Sequence, residues 1–358
     1  MQPSQHERFP FPGSPARDTT GDQSFVKSLL IFTDAGNEVG YGHLTRCRSI
    51  AAIFTQRGYQ TRIAVQATNI QLNSNEELVQ WHELGTATCE AIRNADIVLV
   101  DSIMASESHV ESILTISSNA VIIDDFLHRS YSKGIIVDWT PGAENNPQLN
   151  QKPPVRYLVG SQYCALRPPF WTPRERTFPA QPAKILVTLG GSDIRLLTSP
   201  VVRHLLTNFP HVQVHAVVGG GMSDTKEYRE FALMGVQVHN NLDATGMCDL
   251  MDAVDLAISG GGQTLYEIAC RGLPSIAINL IDNQTADINN FSSSGFSCTA
   301  GKWDDPGLLD RIIDRVDSLW GIPERVRAST IGRSLVDGKG AARLADEIEW
   351  IIYKIRRA

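Results

Sequence analysis

Short apolar runs, each ending in polar or glycine-rich residues, recur along the chain. The first run, residues 28–33 (Ser-Leu-Leu-Ile-Phe-Thr), is typical of a buried parallel strand and ends at Asp34. Apolar residues then follow a helical spacing from Leu44 to Phe54, and Gly58 is placed to end that helix. Further strands are predicted at 61–65, 97–100, 120–123 and 135–137. Strands that alternate with helices indicate a parallel sheet with right-handed crossovers.

A proline-rich stretch interrupts this alternation. Five prolines fall between Arg167 and Pro182, and proline neither continues a helix nor donates a hydrogen bond within a central strand. Beyond it, strands are predicted at 184–189, 212–218, 254–258 and 275–280, and helices at 199–207 and 264–271.

The chain is therefore expected to divide in two at the prolines. We predict an N-terminal Rossmann-like domain at 25–170, a linker at 171–182 and a C-terminal Rossmann-like domain at 183–358. The last segment, 340–357, has an amphipathic pattern and is a candidate to pack back on the N-terminal domain. A length of 358 residues agrees with two hydrophobic cores.

Composition narrows the class of protein. A net charge of −7 argues against nucleic acid as the main partner. No apolar stretch approaches the roughly 20 residues of a membrane span, and residues 1–24 form a polar tail, expected to be disordered, without the apolar core of a signal peptide. The six cysteines show no C-x-x-C or metal-ligand spacing. We expect a cytoplasmic protein with reduced thiols, no bound metal or cofactor and no stable membrane insertion.

The first candidate site is the segment 40–46, Gly-Tyr-Gly-His-Leu-Thr-Arg, between the first strand and its helix. Two glycines let the backbone pass close to a ligand, and the free N–H groups of a helix N-terminus attract an anion. His43 stands where the loop becomes the helix, so the helix dipole favours a neutral ring that can take a proton. The alternative is a glycine-rich turn with a packing histidine and a solvated arginine. The catalytic candidate is His43, and the binding candidates are Gly40, Tyr41, Gly42 and Arg46.

A second glycine-rich segment, 259–264, again lies between a strand and a helix. Three glycines and two hydroxyls at a helix N-terminus suit a pyrophosphate. Glu267 is placed in the first turn of that helix, where it accepts hydrogen bonds from both ribose hydroxyls or simply favours the dipole. The loop after the next strand adds amide side chains. The binding candidates are Ser259, Gly261, Gly262, Gln263, Thr264, Glu267, Asn283 and Gln284.

A third loop follows the strand at 184–189 and contributes Gly191 and Ser192. It is expected to face the first glycine loop across a cleft. All three loops fall at the carboxyl ends of strands in two doubly wound units, which is where such folds bind ligands.

As a set, these motifs resemble the UDP-sugar hydrolases of pseudaminic acid biosynthesis and the related spore-coat polysaccharide proteins, which are similar to the MurG-like GT-B glycosyltransferases. The resemblance covers residues 25–301 and implies a GT-B-like α/β fold, with two doubly wound Rossmann-like domains facing across a cleft. The matching segments are 34–50 with its Gly-x-Gly-His-x-x-Arg core, 124–125, 160–170, 189–193, 259–274 and 282–284.

The resemblance also implies a reaction: metal-free hydrolysis of a UDP-linked 2,4-diacetamido-2,4,6-trideoxy hexose to UDP and free sugar, with inversion at the anomeric carbon. The family's catalytic histidine maps onto His43, and its nucleotide-binding residues map onto Gly261, Gly262 and Glu267. The sugar side departs from the family, which carries Asp-His-Tyr where this chain has Asp101, Ser102 and Ile103 in succession.

The sequence favours a nucleotide-sugar hydrolase of nonulosonic acid or surface polysaccharide biosynthesis, with a UDP-sugar as ligand and His43 as general base. One alternative is a UDP-sugar-dependent GT-B glycosyltransferase, in which His43 deprotonates an acceptor hydroxyl instead of water. The other is a protein that binds a sugar nucleotide without catalysis.

Overall fold

The computed structural model describes residues 26–36, 39–68, 70–150, 155–190, 193–218 and 226–355. The polar tail predicted at 1–24 lies outside these residues, as do Gly191 and Ser192. The described chain forms two parallel sheets, of seven and six strands, with helices between the strands. The predicted α/β class, with two doubly wound units, is confirmed.

The first sheet has the strand order β3-β2-β1-β4-β5-β6-β7. Its helices pack on both faces, with α1 on one and α3 on the other. The strands are β1 (Ser28–Asp34), β2 (Gln60–Gln66), β3 (Glu76–Leu78), β4 (Ile97–Asp101), β5 (Ala120–Ile123), β6 (Gly134–Asp138) and β7 (Val155–Val159). The helices are α1 (Gly42–Gln56), α2 (Thr86–Asn94) and α3 (Glu107–Ile116).

The second sheet has the order β10-β9-β8-β11-β12-β13. Its strands are β8 (Lys184–Thr188), β9 (Gln213–Val218), β10 (Gln237–Asn240), β11 (Leu256–Gly260), β12 (Ser275–Asn279) and β13 (Ser297–Lys302). The helices are α4 (Thr198–Asn208), α5 (Lys226–Leu233), α6 (Ala244–Ala253), α7 (Gln263–Cys270), α8 (Thr285–Ser294), α9 (Leu308–Ser318), α10 (Ile322–Leu335) and α11 (Gly340–Ile355). None of the described helices is both long and apolar enough to cross a membrane.

Each sheet has one point where the direction of chain progression reverses. In the first sheet it lies between β1 and β4, and in the second between β8 and β11. At such a switch point the helices that follow the two strands leave on opposite faces, which opens a crevice at the carboxyl ends of the strands. The glycine loops at 40–42 and 261–262 follow β1 and β11 and therefore border these two crevices.

The C-terminal helix α11 packs against α1 of the first sheet. Leu344 and Ile348 of α11 share a buried core with Ile50 of α1. At the edge of this core, Arg57 donates to a carboxylate oxygen of Glu349 at 2.6 Å. This contact joins the end of the chain to the first sheet, in addition to the connecting segment between β7 and β8.

Candidate active site

His43 is the second residue of α1 and lies beside the end of β4. Its Nδ1 is 2.7 Å from Oδ1 of Asp101, a fully buried carboxylate that ends β4. Because an ionised carboxylate only accepts hydrogen bonds, Nδ1 carries the proton and donates it. The pairing leaves Nε2 as the ring nitrogen that can accept a proton from a ligand or from water.

Arg46, one turn further along α1, keeps Asp101 ionised. Its Nε and Nη2 donate to Oδ2 and Oδ1 of Asp101, each at 2.6 Å, and its Nη1 donates to Asp125 at 2.7 Å. Burial alone would raise the pKa of Asp101, but Arg46 and His43 hold that pKa well below its usual range. Arg46 is itself 7% exposed and not solvated. It is therefore not the solvated arginine of the alternative interpretation, and it holds two acidic neighbours, Asp101 and Asp125.

Asp101 is a candidate site residue that the sequence patterns did not single out, since it was noted only as part of a departure from the family. The feature of the sequence that could have identified Asp101 is its position at the end of a buried strand. Strand β4 is the neighbour of β1, from which the glycine loop leaves, with Thr33 opposite Asp101. Asp125 likewise follows a strand, β5, and accepts a hydrogen bond from Arg46.

The loop before α1 is closed by a short backbone bridge. The amides of Gly36 and Gly40 each donate to the carbonyl of the other, at 3.1 and 2.7 Å. Gly40 has a φ of 76°, a left-handed conformation that glycine adopts without strain. Tyr41 precedes the helix and Gly42 begins it, and no described side chain caps its first amides. These amides can therefore bind an anion.

In the second sheet, the glycine loop and the start of α7 lie against α8. A Cβ on Gly261 would lie 2.5 Å from Cγ1 of Ile288, so only glycine fits there. Gln284 holds the loop by accepting from the amide of Gly261 at 3.2 Å. Gly262 precedes α7 without a capping side chain among the described residues. Of the other candidates, Ser259 is buried, Gln263 and Thr264 are half-buried at the helix start, and Asn283 is exposed.

Glu267 lies in the second turn of α7, not in the first, so that expectation is wrong. The helix begins at Gln263, which places residue 267 one turn inside, where its side chain points into the protein and is 1% exposed. Both carboxylate oxygens accept from Arg167, at 2.6 and 2.7 Å. Burial raises the pKa of Glu267, and Arg167 opposes that rise. In this conformation Glu267 binds the segment that joins the two sheets.

Acidic groups of both sheets meet at the boundary between them. Asp287 of α8 accepts a hydrogen bond from the hydroxyl of Tyr266 at 2.6 Å. Burial, together with the charges of Asp125 and Asp138 across the boundary, raises its pKa to about 7. Burial likewise raises the pKa of Asp138 to about 6. No group of three potential metal ligands is found among the described His, Cys, Asp and Glu residues.

Comparison with known proteins gives this geometry a context. No protein-family model matches the chain. It is 27% identical over 329 residues to the spore coat polysaccharide biosynthesis protein SpsG of Bacillus subtilis, a match that covers 88% of this chain and 95% of SpsG. The chain is a relative of SpsG over nearly its whole length. The resemblance inferred from the motifs is confirmed.

A second relative carries a hydrolase in its name. The chain is 23% identical over 278 residues to the Helicobacter pylori protein named pseudaminic acid cytidylyltransferase and UDP-2,4-diacetamido-2,4,6-trideoxy-β-L-altropyranose hydrolase. This match covers 76% of the chain and 48% of that protein, so the chain spans about half the length of this two-activity relative.

Solved structures show the same architecture. MurG of Acinetobacter baumannii superposes with a TM-score of 0.59 at 15% identity, covering 90% of this chain and 99% of MurG. MnaA of Staphylococcus aureus, solved with UDP, superposes with a TM-score of 0.63 at 10% identity, covering 92% and 97%. At these identities the likeness shows the fold alone. The fold is the GT-B-like one expected from the sequence.

Proposed function

We propose that this protein is a nucleotide-sugar hydrolase that cleaves a UDP-linked hexose to UDP and the free sugar. The observation that carries the proposal is the pairing of His43 with Asp101, since it leaves one ring nitrogen free to accept a proton at the switch point of the first sheet. The hydrolase in the name of the Helicobacter pylori relative supports this reaction.

The nucleotide belongs at the second glycine loop. The uncapped start of α7, with Gly261 and Gly262 before it, offers backbone amides and the positive end of a helix dipole to the diphosphate. These groups also stabilise the charge that develops on the leaving phosphate, without a metal ion. Gly191 and Ser192 lie outside the described residues and stay binding candidates.

In the reaction, Nε2 of His43 takes a proton from water as the water oxygen bonds to the anomeric carbon. The bond from that carbon to the β-phosphate oxygen breaks, and its electron pair leaves with UDP, so the configuration inverts. Asp101 accepts from Nδ1 throughout and stabilises the imidazolium that forms. Arg46 keeps Asp101 ionised and in place, so it acts as a positioning residue.

The names of the relatives support one substrate class. We propose a UDP-linked 2,4-diacetamido-2,4,6-trideoxy hexose, the class for which the Helicobacter pylori relative is named. The product would then enter nonulosonic acid or surface polysaccharide biosynthesis, in keeping with the name of SpsG.

One observation favours a transferase as the second candidate. Three large side chains in the loops after β1 and β4 are exposed: Tyr41 at 52%, Ile103 at 48% and Met104 at 58%. Exposed apolar side chains near a crevice suit an apolar acceptor. In that reaction His43 would deprotonate an acceptor hydroxyl instead of water.

Release of UDP separates these functions. The protein is incubated with a panel of UDP-sugars, including the diacetamido sugar, with and without lipid-linked and soluble sugar acceptors. The hydrolase releases UDP and free sugar without any acceptor. Strict dependence on an acceptor would show the transferase instead, and tight binding without any turnover would show a binding protein.

A further inference from the structure

A second histidine–aspartate pair lies close to the first. Nε2 of His82 is 2.8 Å from Oδ1 of Asp34, the buried last residue of β1. The hydroxyl of Ser102, just after β4, donates to the other carboxylate oxygen of Asp34. The carboxylate is therefore fixed from two sides, as Asp101 is fixed by Arg46.

The two pairs flank the same crevice from opposite faces of the sheet. Successive side chains of a strand alternate between faces, so Asp101 points to the α1 side with His43. Ser102, the next residue, points to the α3 side with Asp34. Both pairs therefore border the carboxyl ends of β1 and β4, the part of a doubly wound sheet where ligands bind.

The ring of His82 is held in one orientation. It packs on Trp81 with 4.0 Å between ring centroids, and Trp81 is anchored because its Nε1 donates to the carbonyl of Thr33 at 3.0 Å. In the neutral tautomer whose Nε2–H donates to the carboxylate of Asp34, the other nitrogen, Nδ1, is a hydrogen-bond acceptor. Nδ1 has no partner among the described residues, and the side chain is 21% exposed. A pair that only connected the loop after β3 to β1 would not need a partly exposed ring with one nitrogen left without a partner among the described residues.

We propose that His82 is a substrate-binding residue that contacts the sugar of the UDP-linked substrate, with Nδ1 accepting a hydrogen bond from a sugar hydroxyl or amide N–H. The proposal rests on the UDP-sugar being the ligand, as stated under the proposed function. It also predicts the class of sugar, because each of the two histidines is paired with a carboxylate, Asp101 for His43 and Asp34 for His82. A neutral sugar with hydroxyl or acetamido donors fits this wall, whereas a uronic acid would bring a third carboxylate to it.

The contribution of the sugar to binding tests the proposal. Calorimetry gives the Kd of UDP, UDP-N-acetylglucosamine, UDP-glucose and UDP-glucuronic acid for the wild type, and the sugar contribution is the ratio of the UDP and UDP-sugar values. His82→Phe keeps the ring packing and removes the acceptor, so it should lower this contribution about 3- to 10-fold for the neutral sugars. The Kd of UDP alone should not change, and UDP-glucuronic acid should bind more weakly than UDP-glucose.

Two further variants make the result specific. His82→Gln, which offers both an amide donor to Asp34 and an acceptor, should recover part of the contribution and serves as the readout if His82→Phe does not fold by circular dichroism. His204→Phe is the control. It removes a histidine of α4 that pairs with Asp310, and its sugar contribution should equal that of the wild type.

An unchanged sugar contribution in folded His82→Phe would overturn the proposal, as would an equal loss of affinity for UDP and for the UDP-sugars. A wild type that binds neither neutral UDP-sugar more tightly than UDP would also overturn it. Turnover is a separate readout: a wild type that binds these sugars through His82 without hydrolysing any UDP-sugar contradicts the hydrolase and leaves the sugar contact standing.

Discussion

Arg167 binds both carboxylate oxygens of Glu267, with Nε 2.6 Å from Oε1 and Nη2 2.7 Å from Oε2. Arg167 belongs to the segment that joins the two sheets, and Glu267 belongs to α7, whose N-terminus is proposed to bind the diphosphate. The pair thus connects the joining segment to the nucleotide half of the site. In this pair, Arg167 occupies the carboxylate of Glu267, which the sequence predicts to bind the ribose hydroxyls.

The first prediction separates these two roles of Glu267. Glu267→Ala should weaken UDP binding at least tenfold by calorimetry, because charged hydrogen bonds contribute about 1.5–3 kcal/mol. It should also lower the melting temperature, since it leaves the partly buried guanidinium of Arg167 without this carboxylate partner. The double variant Arg167→Met with Glu267→Leu should recover the melting temperature but not the UDP affinity. Recovery of both would show that the pair only joins the halves, and wild-type affinity in Glu267→Ala would place the ribose elsewhere.

The second prediction concerns the general base. His43→Ala should lower kcat about 100- to 10,000-fold, the usual contribution of positioned proton transfer. The affinity for UDP should stay nearly the same, because the nucleotide is proposed to bind at the other sheet. The matched control is His211→Ala, at an exposed turn of the second sheet, which should keep full activity. An unchanged kcat in His43→Ala would contradict the proposed mechanism.

The third prediction tests the orientation of that base. Asp101→Asn keeps the shape of the side chain but removes the charge that stabilises the imidazolium and fixes the proton on Nδ1. We expect kcat to fall by roughly 100- to 10,000-fold with little change in KM. Asp310→Asn, an exposed aspartate on α9, is the control. If kcat of a folded Asp101→Asn protein stays within about threefold of the wild type, Asp101 does not orient His43.

The fourth prediction uses the buried carboxyl of Asp287. Its pKa is raised, mainly by burial, from 3.8 to about 7. The folded state therefore holds this proton more tightly than the unfolded chain, and the free energy of unfolding falls as the pH rises through that range. Asp287→Asn removes this dependence while its amide oxygen still accepts from Tyr266. The variant should match the wild type at pH 4 and melt at a higher temperature than the wild type at pH 8.

The control for this prediction is Asp282→Asn, an aspartate whose side chain is 94% exposed. Its melting temperature should differ from that of the wild type by the same amount at both pH values. The same pH-independent difference in Asp287→Asn would mean that Asp287 titrates normally in the folded protein.

The elements that local rules encode could be predicted from the amino-acid pattern. Continuous apolar runs marked the central strands of both sheets, and the glycine segments marked the loops that open α1 and α7. The four strands that it did not predict, β3, β7, β10 and β13, are the edge strands of the two sheets. An edge strand pairs on one side only and is partly exposed, so it lacks the continuous apolar run of a central parallel strand.

Which side chains meet depends on the folded arrangement of the strands and helices. His43 and Asp101 are 58 residues apart, His82 and Asp34 are 48 apart, and Arg167 and Glu267 are 100 apart. Each pairing depends on strand order, on the face to which a strand residue points, or on the residue at which a helix begins. A shift of one residue in a strand moves its side chains to the opposite face. The motifs therefore located the two glycine loops, while the arrangement of β1 beside β4 brought Asp101 to His43.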